Sequence, residues 1–157
     1  MRYNREEIRE KYKDLFKYSL DLIYVNDIKG NFLDANDVVL MALGYEREEI
    51  PNISFINLLD KEQLLEAIRI TKEIKMAGKQ SKRSEYKLRT KDGDTIYIET
   101  YGIPIKKNGK IYAILGIGTN ITERKLAEQQ LKESEKKFKQ IFEAIPDLFF
   151  LVLEDST

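Results

Sequence analysis

The alternation of apolar and polar residues predicts three consecutive strands in the second half of the chain. The residues alternate over 84–90, 95–105 and 110–119, with the period of two that a half-buried strand requires. Asp92-Gly93 and Asn108-Gly109 separate the three segments, and both dipeptides are strong hairpin signals. This region therefore predicts a three-stranded antiparallel meander.

The first half predicts two further strands and several short helices. Residues 22–26 are apolar and β-prone, residues 27–30 form a turn, and residues 31–35 return as a strand. Asn36 is a candidate N-cap for a helix over 37–43 that ends at Gly44. Pro51 breaks the chain before 54–59, and helical spacing predicts a helix over 61–76. The predicted fold class is α+β, with a five-stranded antiparallel sheet covered by helices on one face.

The two ends of the chain resemble each other at a constant offset. Phe16 aligns with Phe142 and Asp21 with Asp147, so a helix-then-strand pattern occurs twice, 126 residues apart (142 − 16 = 126). Chance similarity between two amphipathic helices is the simpler explanation, and a tandem array cut after its second unit begins is the one we favour. We therefore expect a linker or capping helix over 1–19, a domain over 20–122, a linker helix over 123–145 and a truncated second unit over 146–157.

A heptad pattern in the second linker helix predicts a partner for its apolar stripe. One core position holds Leu131, Phe138 and Ile145, and Ile141 lies at the other. The N-terminal helix has a similar stripe. The stripe can pack on the sheet of the same chain or on a second chain, and we expect a homodimer through the flanking helices.

Composition removes most catalytic chemistry. The 157 residues include 27 basic and 27 acidic side chains, with no Cys and no His. Thiolate and imidazole nucleophiles, bases and metal ligands are therefore excluded, and we expect no enzyme activity and no metal site. Zero net charge argues against nucleic-acid binding. No apolar run reaches the ~20 residues of a membrane span, so we expect a cytoplasmic location.

The series of turn and cap motifs resembles that of PAS sensory domains. From about Phe16 to Lys125 the order and spacing of the motifs are similar to the family pattern, although no single one is decisive. The motifs are Gly30-Asn31-Phe32, Ala35-Asn36, Leu43-Gly44-Tyr45, Lys91-Asp92-Gly93, Gly116-Ile117-Gly118 and Asn120-Ile121-Thr122-Glu123-Arg124-Lys125. The resemblance implies a sensory module that binds a small ligand or a partner. It also implies an output kinase or other signalling domain elsewhere in the parent chain.

The resemblance also suggests a ligand in the hollow between sheet and helices. Without His or Cys, the usual haem site and a cysteinyl flavin are excluded, whereas a non-covalent flavin, a small organic ligand or a self-filled hollow stay open. Successive side chains of a strand point to opposite faces of the sheet, and on this basis the candidates for lining the hollow are Tyr86, Tyr97, Tyr101, Ile114, Gly116 and Gly118. The alternative, which we favour, is that the glycines ease close packing and the tyrosines fill the core or a dimer surface.

The residues that leave the last strand are the expected relay. Asn120, Ile121 and Thr122 occupy the exit motif, where the family usually has Asp at the first position. An amide in that position can still form hydrogen bonds but lacks the charge. The expected function is relay of a binding event through the flanking helices to an output domain. The alternative is a ligand-free structural spacer that serves dimerisation only.

Overall fold

The computed structural model describes residues 4–155, with the side chains of residues 147–150 and 155 outside the description. The chain divides into two compact units, one ending at Ile121 and the other beginning at Thr122. In the described part of the chain, no helix is both long enough and apolar enough to cross a membrane.

The first unit contains two N-terminal strands, a group of helices and three C-terminal strands. In chain order the elements of both units are α1 (Arg5–Tyr18), β1 (Leu22–Asp27), β2 (Phe32–Ala35), α2 (Asp37–Leu43), a 3₁₀ helix (Arg47–Asn52), α3 (Phe55–Leu58), α4 (Lys61–Ala77), β3 (Ser84–Arg89), β4 (Thr95–Lys107), β5 (Lys110–Asn120) and α5 (Thr122–Asp155).

The five strands form one antiparallel sheet in the order β2-β1-β5-β4-β3, which confirms the predicted fold class. The long β4–β5 hairpin turns at Asn108 and Gly109, whose φ angles are +53° and +76°. A two-residue hairpin turn of this kind needs positive φ at both positions, which Asn and Gly tolerate best. The strand β5 thereby lies at the centre of the sheet, between β1 and β4.

The core lies between one face of the sheet and the helices α2, α3 and α4. All five strands contribute residues to it, including Leu22 and Tyr24 on β1, Leu88 on β3 and Ile98 on β4. From the helices come Leu43, Leu58, Ile70 and Ile74, all buried. The helix α1 buries no residue.

Asn36 joins the sheet to α2. Its fully buried side-chain oxygen accepts hydrogen bonds from the backbone N–H of Ile23 and of Val39, both at 3.2 Å. Its amide nitrogen donates to the carbonyl of Asp21 at 2.9 Å. The predicted N-cap is therefore also a side-chain link between β1 and α2.

A second amide, that of Gln63, lies against the outer edge of β3. Its oxygen accepts the backbone N–H of Lys87 at 2.6 Å, and its nitrogen donates to the carbonyl of the same residue at 2.9 Å. The side chain of an α4 residue thus occupies the backbone groups that Lys87 presents away from β4.

The structure differs from the sequence prediction at two places. Pro51, where the residue pattern predicts a chain break, instead lies inside a 3₁₀ helix over Arg47–Asn52, with a capping box between Glu46 and Glu49. The C-terminal helix does not end at 145 but continues through Pro146 to Asp155. A first strand of a second unit would need that unit's own sheet to pair with, and an apolar segment without such a sheet can continue the helix. The truncated second unit over 146–157 stays a prediction, and residues 156–157 lie outside the described residues.

Candidate functional site

Three aromatic rings fill the interior next to β1 and β2. Tyr24 stacks on Phe32 with ring centroids 5.2 Å apart and planes 7° apart. Phe55, from α3, meets both rings edge-on, at 6.1 Å from Tyr24 and 5.6 Å from Phe32. Edge-to-face and stacked contacts of this kind stabilise aromatic clusters by about 0.5–1.5 kcal/mol per pair beyond area burial. The hollow is therefore occupied by the protein's own side chains.

The ring of Tyr24 lies directly over the backbone of β5. An added Cβ at Gly116 would stand 2.1 Å from the Cζ of Tyr24, so only glycine leaves room for this ring. The Tyr24 hydroxyl forms a 3.1 Å hydrogen bond with Thr100 Oγ1, which in turn donates to the carbonyl of Ile117 at 2.9 Å. Burial raises the pKa of Tyr24, and its bond to Thr100 opposes that rise. Tyr24 thus connects β1 with β4 and β5 through one side chain.

Two small cavities remain on either side of the aromatic cluster. The first, of about 20 Å³, is enclosed mainly by apolar side chains that include Leu22, Leu43 and Leu88. The second, of about 40 Å³, has a polar wall formed by Asn26, Thr71, Gln80 and Thr100. Tyr24 and Phe55 border both cavities. The two rings therefore divide what would otherwise be one larger hollow.

The cavity volumes set what the interior can hold. A water molecule needs roughly 10–15 Å³ of such space, so the polar cavity suits one or two waters. An organic cofactor needs a pocket of roughly 300–1,000 Å³, and neither a flavin nor a haem fits this arrangement of Tyr24 and Phe55. Among the described residues, no group of three metal-ligating side chains lies together. In this conformation the site does not accommodate a resident cofactor.

The predicted lining residues divide between the two faces of the sheet. Tyr86, Ile114, Gly116 and Gly118 lie on the core side, and Tyr86 and Ile114 border the polar cavity. Burial raises the pKa of Tyr86 to about 12. Gly118 has no side chain, and this leaves room for β4, because an added Cβ would stand 2.8 Å from the carbonyl oxygen of Glu99. The two glycines thus make room for the protein's own atoms.

The predicted aromatic wall of three tyrosines is not assembled. On β4, Ile98 and Thr100 face the core, and successive side chains of a strand point to opposite faces. Tyr97 and Tyr101 therefore lie on the other face from Tyr86. Tyr101 borders the polar cavity, yet its ring lies under the Arg83 guanidinium, 5.2 Å from the ring centroid. Because Tyr86 lies on one face of the sheet and Tyr97 and Tyr101 lie on the other, the three tyrosines do not form one wall.

The central residues of the site were not among the sequence candidates. Tyr24 and Asn26 lie on β1, Phe55 on α3 and Thr100 on β4, so no local motif marks all four as neighbours. One usable signal was present: Gly116 faces the core in the middle of an apolar strand, where glycine often allows a large side chain to approach.

The expected relay residues connect the sheet to the last helix. Asn120 is the final residue of β5, where it pairs with Ile98, and Thr122 is the first residue of α5. Only Ile121 separates the two elements. It is buried, and its backbone N–H donates to the carbonyl of Tyr97 at 2.8 Å. The central strand of the sheet thus passes into the helix with a single intervening residue.

The predicted stripe of α5 is exposed. Leu131, Phe138 and Ile141 are 60%, 69% and 64% exposed, and Ile145 is 49% exposed. Within the helix, the Phe138 and Phe142 rings stack at 6.1 Å. The stripe is apolar and exposed in the single chain, and its partner stays a prediction.

Comparison with known proteins identifies this architecture. The family profile described as a PAS domain matches residues 20–123. A solved PAS domain of a protein from Colwellia psychrerythraea superposes with a TM-score of 0.65 and 25% identity, over 74% of this chain and 98% of that one.

Two curated relatives are a kinase and a sensor. The chain is 27% identical over 144 residues to sporulation kinase E of Bacillus subtilis (strain 168), covering 92% of this chain and 19% of the kinase. It is 30% identical over 124 residues to a methyl sulfide methyltransferase-associated sensor of Methanosarcina acetivorans, covering 78% of this chain and 12% of the sensor. The chain thus spans less than a fifth of the length of either relative.

Proposed function

The chain belongs to the PAS domain family, and from this premise we propose that it relays a signal to an output domain in its parent protein. Its similarity to a sensor kinase and to a sensor supports a sensory signalling role. A PAS domain is itself a sensory module rather than a catalytic one. Any kinase activity, and the cytoplasmic setting that we expect, belong to the proposal.

The observation that carries this proposal is the passage from β5 into α5. The strand is central, its Gly116 lies under the Tyr24 ring, and Ile121 alone separates it from the helix. A displacement of Tyr24 would change the hydrogen bond to Thr100 and the packing over β5 together. Such a change can shift the helix between two arrangements if it alters the difference in free energy between them by about 1–3 kcal/mol.

The stimulus in this proposal is a small ligand or a protein partner that moves the aromatic cluster. A ligand larger than a few heavy atoms would have to displace Tyr24 or Phe55, which would merge the two cavities that they divide. The exposed stripe of α5 supports a homodimer as the form in which the helix transmits the change.

A second candidate, a ligand-free spacer that only dimerises, is favoured by the filled interior. Native mass spectrometry after mild purification separates the two. A stoichiometric small molecule, or a thermal shift with one member of a metabolite panel, supports ligand sensing. A clean apo mass with unchanged stability across the panel supports a partner stimulus or the spacer.

Hydrogen exchange tests the relay directly. Gly116→Ala should displace the Tyr24 ring and raise amide exchange over residues 119–130, because β5 carries the disturbance into α5. The matched control is Gly93→Ala, at a hairpin tip where an added Cβ meets nothing within 4 Å but φ is +90°. It should destabilise the unit without reaching those residues. Equal exchange over 119–130 in both variants would contradict the relay.

Asn120→Asp tests the joint itself. Restoring the carboxylate usual in the family should strengthen the joint by a charge-assisted hydrogen bond, and slow amide exchange over residues 119–124. Unchanged exchange in this segment would remove Asn120 from the proposed relay.

A further inference from the structure

Basic side chains gather at one end of the first unit. This basic end is where β1, β4 and α4 finish and where β3 and β5 begin. Its nine basic residues are Lys29, Lys72, Lys75, Lys79, Lys82, Arg83, Lys106, Lys107 and Lys110. Since the chain as a whole has no net charge, this is a local excess that another region must balance.

The carboxylates at the basic end are already engaged. Asp27 accepts the backbone N–H groups of Lys29 and Asn31, both at 2.9 Å, within its own turn. Glu73 accepts the backbone N–H of Ser81 at 2.7 Å and lies 3.5 Å from the Arg69 guanidinium. Both carboxylates keep their charge, which offsets only part of the positive charge of the nine basic residues.

Five of the nine basic residues border two concave surfaces beside the end of α4. One, the α4 groove, has a volume of about 190 Å³ and an apolar floor that includes Phe55, Leu64 and Ile68. Lys29, Lys72 and Lys75 stand around it. The other, of about 590 Å³, lies between α4 and the β4–β5 hairpin and is bordered by Lys75, Lys106 and Lys110. Lys75 borders both surfaces, and Met76 beside it is 90% exposed.

The apolar floor of the α4 groove and the lysines around it together indicate the chemistry of a molecule that would bind there. A phosphate backbone would match the lysines but leave the apolar floor unfilled, and a planar bilayer cannot follow a concave groove. A peptide with an apolar side chain between carboxylates matches both. We propose that the basic end docks an acidic segment of a partner protein, with an apolar side chain in the α4 groove and its carboxylates on the surrounding lysines.

Such a contact is expected to be weak and sensitive to salt. Ion pairs between exposed side chains each contribute only about 0.2–1 kcal/mol, so the apolar anchor must supply much of the affinity. Complementary charge acts mainly on the association rate, and screening by salt slows association.

The probe for this surface is a fluorescein-labelled peptide of glutamate residues with leucine at helical spacing, measured by anisotropy. The full chain should bind it, and Lys72→Glu with Lys75→Glu should weaken binding by about tenfold or more through removal of two cations and repulsion by two acids. Lys72→Gln with Lys75→Gln, which adds no acid to the last turn of α4, should give a smaller loss. Ile68→Ser should weaken binding without changing the charge.

The matched control reverses the same charge at the other end of the unit. Lys61→Glu with Lys87→Glu alters two exposed lysines near the start of α4 and on β3. It should leave peptide affinity within about twofold. Equal weakening by the control and by the groove variant would overturn the proposal, as would tighter binding to vesicles of phosphatidylserine or to single-stranded RNA than to the peptide.

Discussion

The two units of the chain differ in how they satisfy their apolar and polar groups. In the first unit, the sheet and three helices enclose the core, and in the described residues no buried side-chain nitrogen or oxygen lacks a hydrogen-bond partner. In the second, the helix α5 leaves its apolar stripe half to two-thirds exposed, from Leu131 to Ile145. Charged and polar residues occupy most of its other positions as far as Ile145, and its ion pairs include the exposed pair of Lys139 with Glu143, at 4.0 Å.

This difference separates stability from assembly. The first unit contains the contacts that a folded domain needs, so its stability should depend little on a partner. A long helix with an exposed apolar stripe gains most of its stability from packing on another surface. Substitutions in the two units should therefore change different measurements.

The largest expected effect is on Asn36, where the polar groups of the core converge. Asn36→Ala removes three hydrogen bonds and takes the side-chain partner from the N–H groups of Ile23 and Val39 and from the carbonyl of Asp21, so the free energy of unfolding should fall by about 3–4 kcal/mol. The measurement is urea unfolding followed by circular dichroism.

The control for Asn36 is the exposed N-cap of α4. Asp60→Ala removes a single cap bond to the Gln63 N–H and should cost about 1 kcal/mol. Equal losses at the two caps would show that the Asn36 side chain adds nothing beyond capping.

The next effect concerns the space that Gly116 leaves for Tyr24. Gly116→Ala forces the ring to move and should cost about 1–3 kcal/mol, in the range for overpacked cores. Tyr24→Leu, which replaces the aromatic ring by a smaller side chain, should cost less in the Gly116→Ala background than in the wild type. Additive losses in this double-mutant cycle, measured by urea unfolding, would place the strain elsewhere.

The smallest effect belongs to the second unit. Leu131→Glu should weaken self-association by about tenfold, roughly 1.4 kcal/mol, because it places a charge in the apolar stripe. The melting temperature of the first unit should stay unchanged. Gln130→Glu, which adds the same charge one residue away, is the control for sedimentation equilibrium. If neither substitution changes the dimer dissociation constant, the dimer interface lies on α1 or on the sheet instead.

Much of the fold was predictable because its signals are local. The Asn108-Gly109 and Asp92-Gly93 turns, the alternation along β3, β4 and β5, and the Asn36 cap are each read within a few residues. The predicted helix over 37–43 coincides with α2, and the boundaries of the five strands, α3 and α4 differ from the prediction by no more than two residues. The five-stranded sheet followed from these elements alone.

The contents of the interior were less predictable because they depend on contacts across the fold. The fit of Tyr24 over Gly116 joins residues 92 positions apart (116 − 24 = 92), and only the strand register reveals it. The tyrosine wall failed for a related reason, since face assignment requires knowing which residue of β4 faces the core. The C-terminal end of α5 departs from prediction because an apolar segment takes a structure that depends on what pairs with it.

The amide of Gln63 has a consequence for how neighbouring molecules meet. β3 is an edge strand of the sheet, and the unpaired backbone groups of an edge strand can pair with a strand of another molecule and start aggregation. The Gln63 oxygen accepts the N–H of Lys87 and the Gln63 nitrogen donates to the Lys87 carbonyl, so this side chain blocks such pairing in the middle of β3. In a crowded cell, or in an array where similar sheets are tethered side by side, this one side chain would help each sheet remain separate.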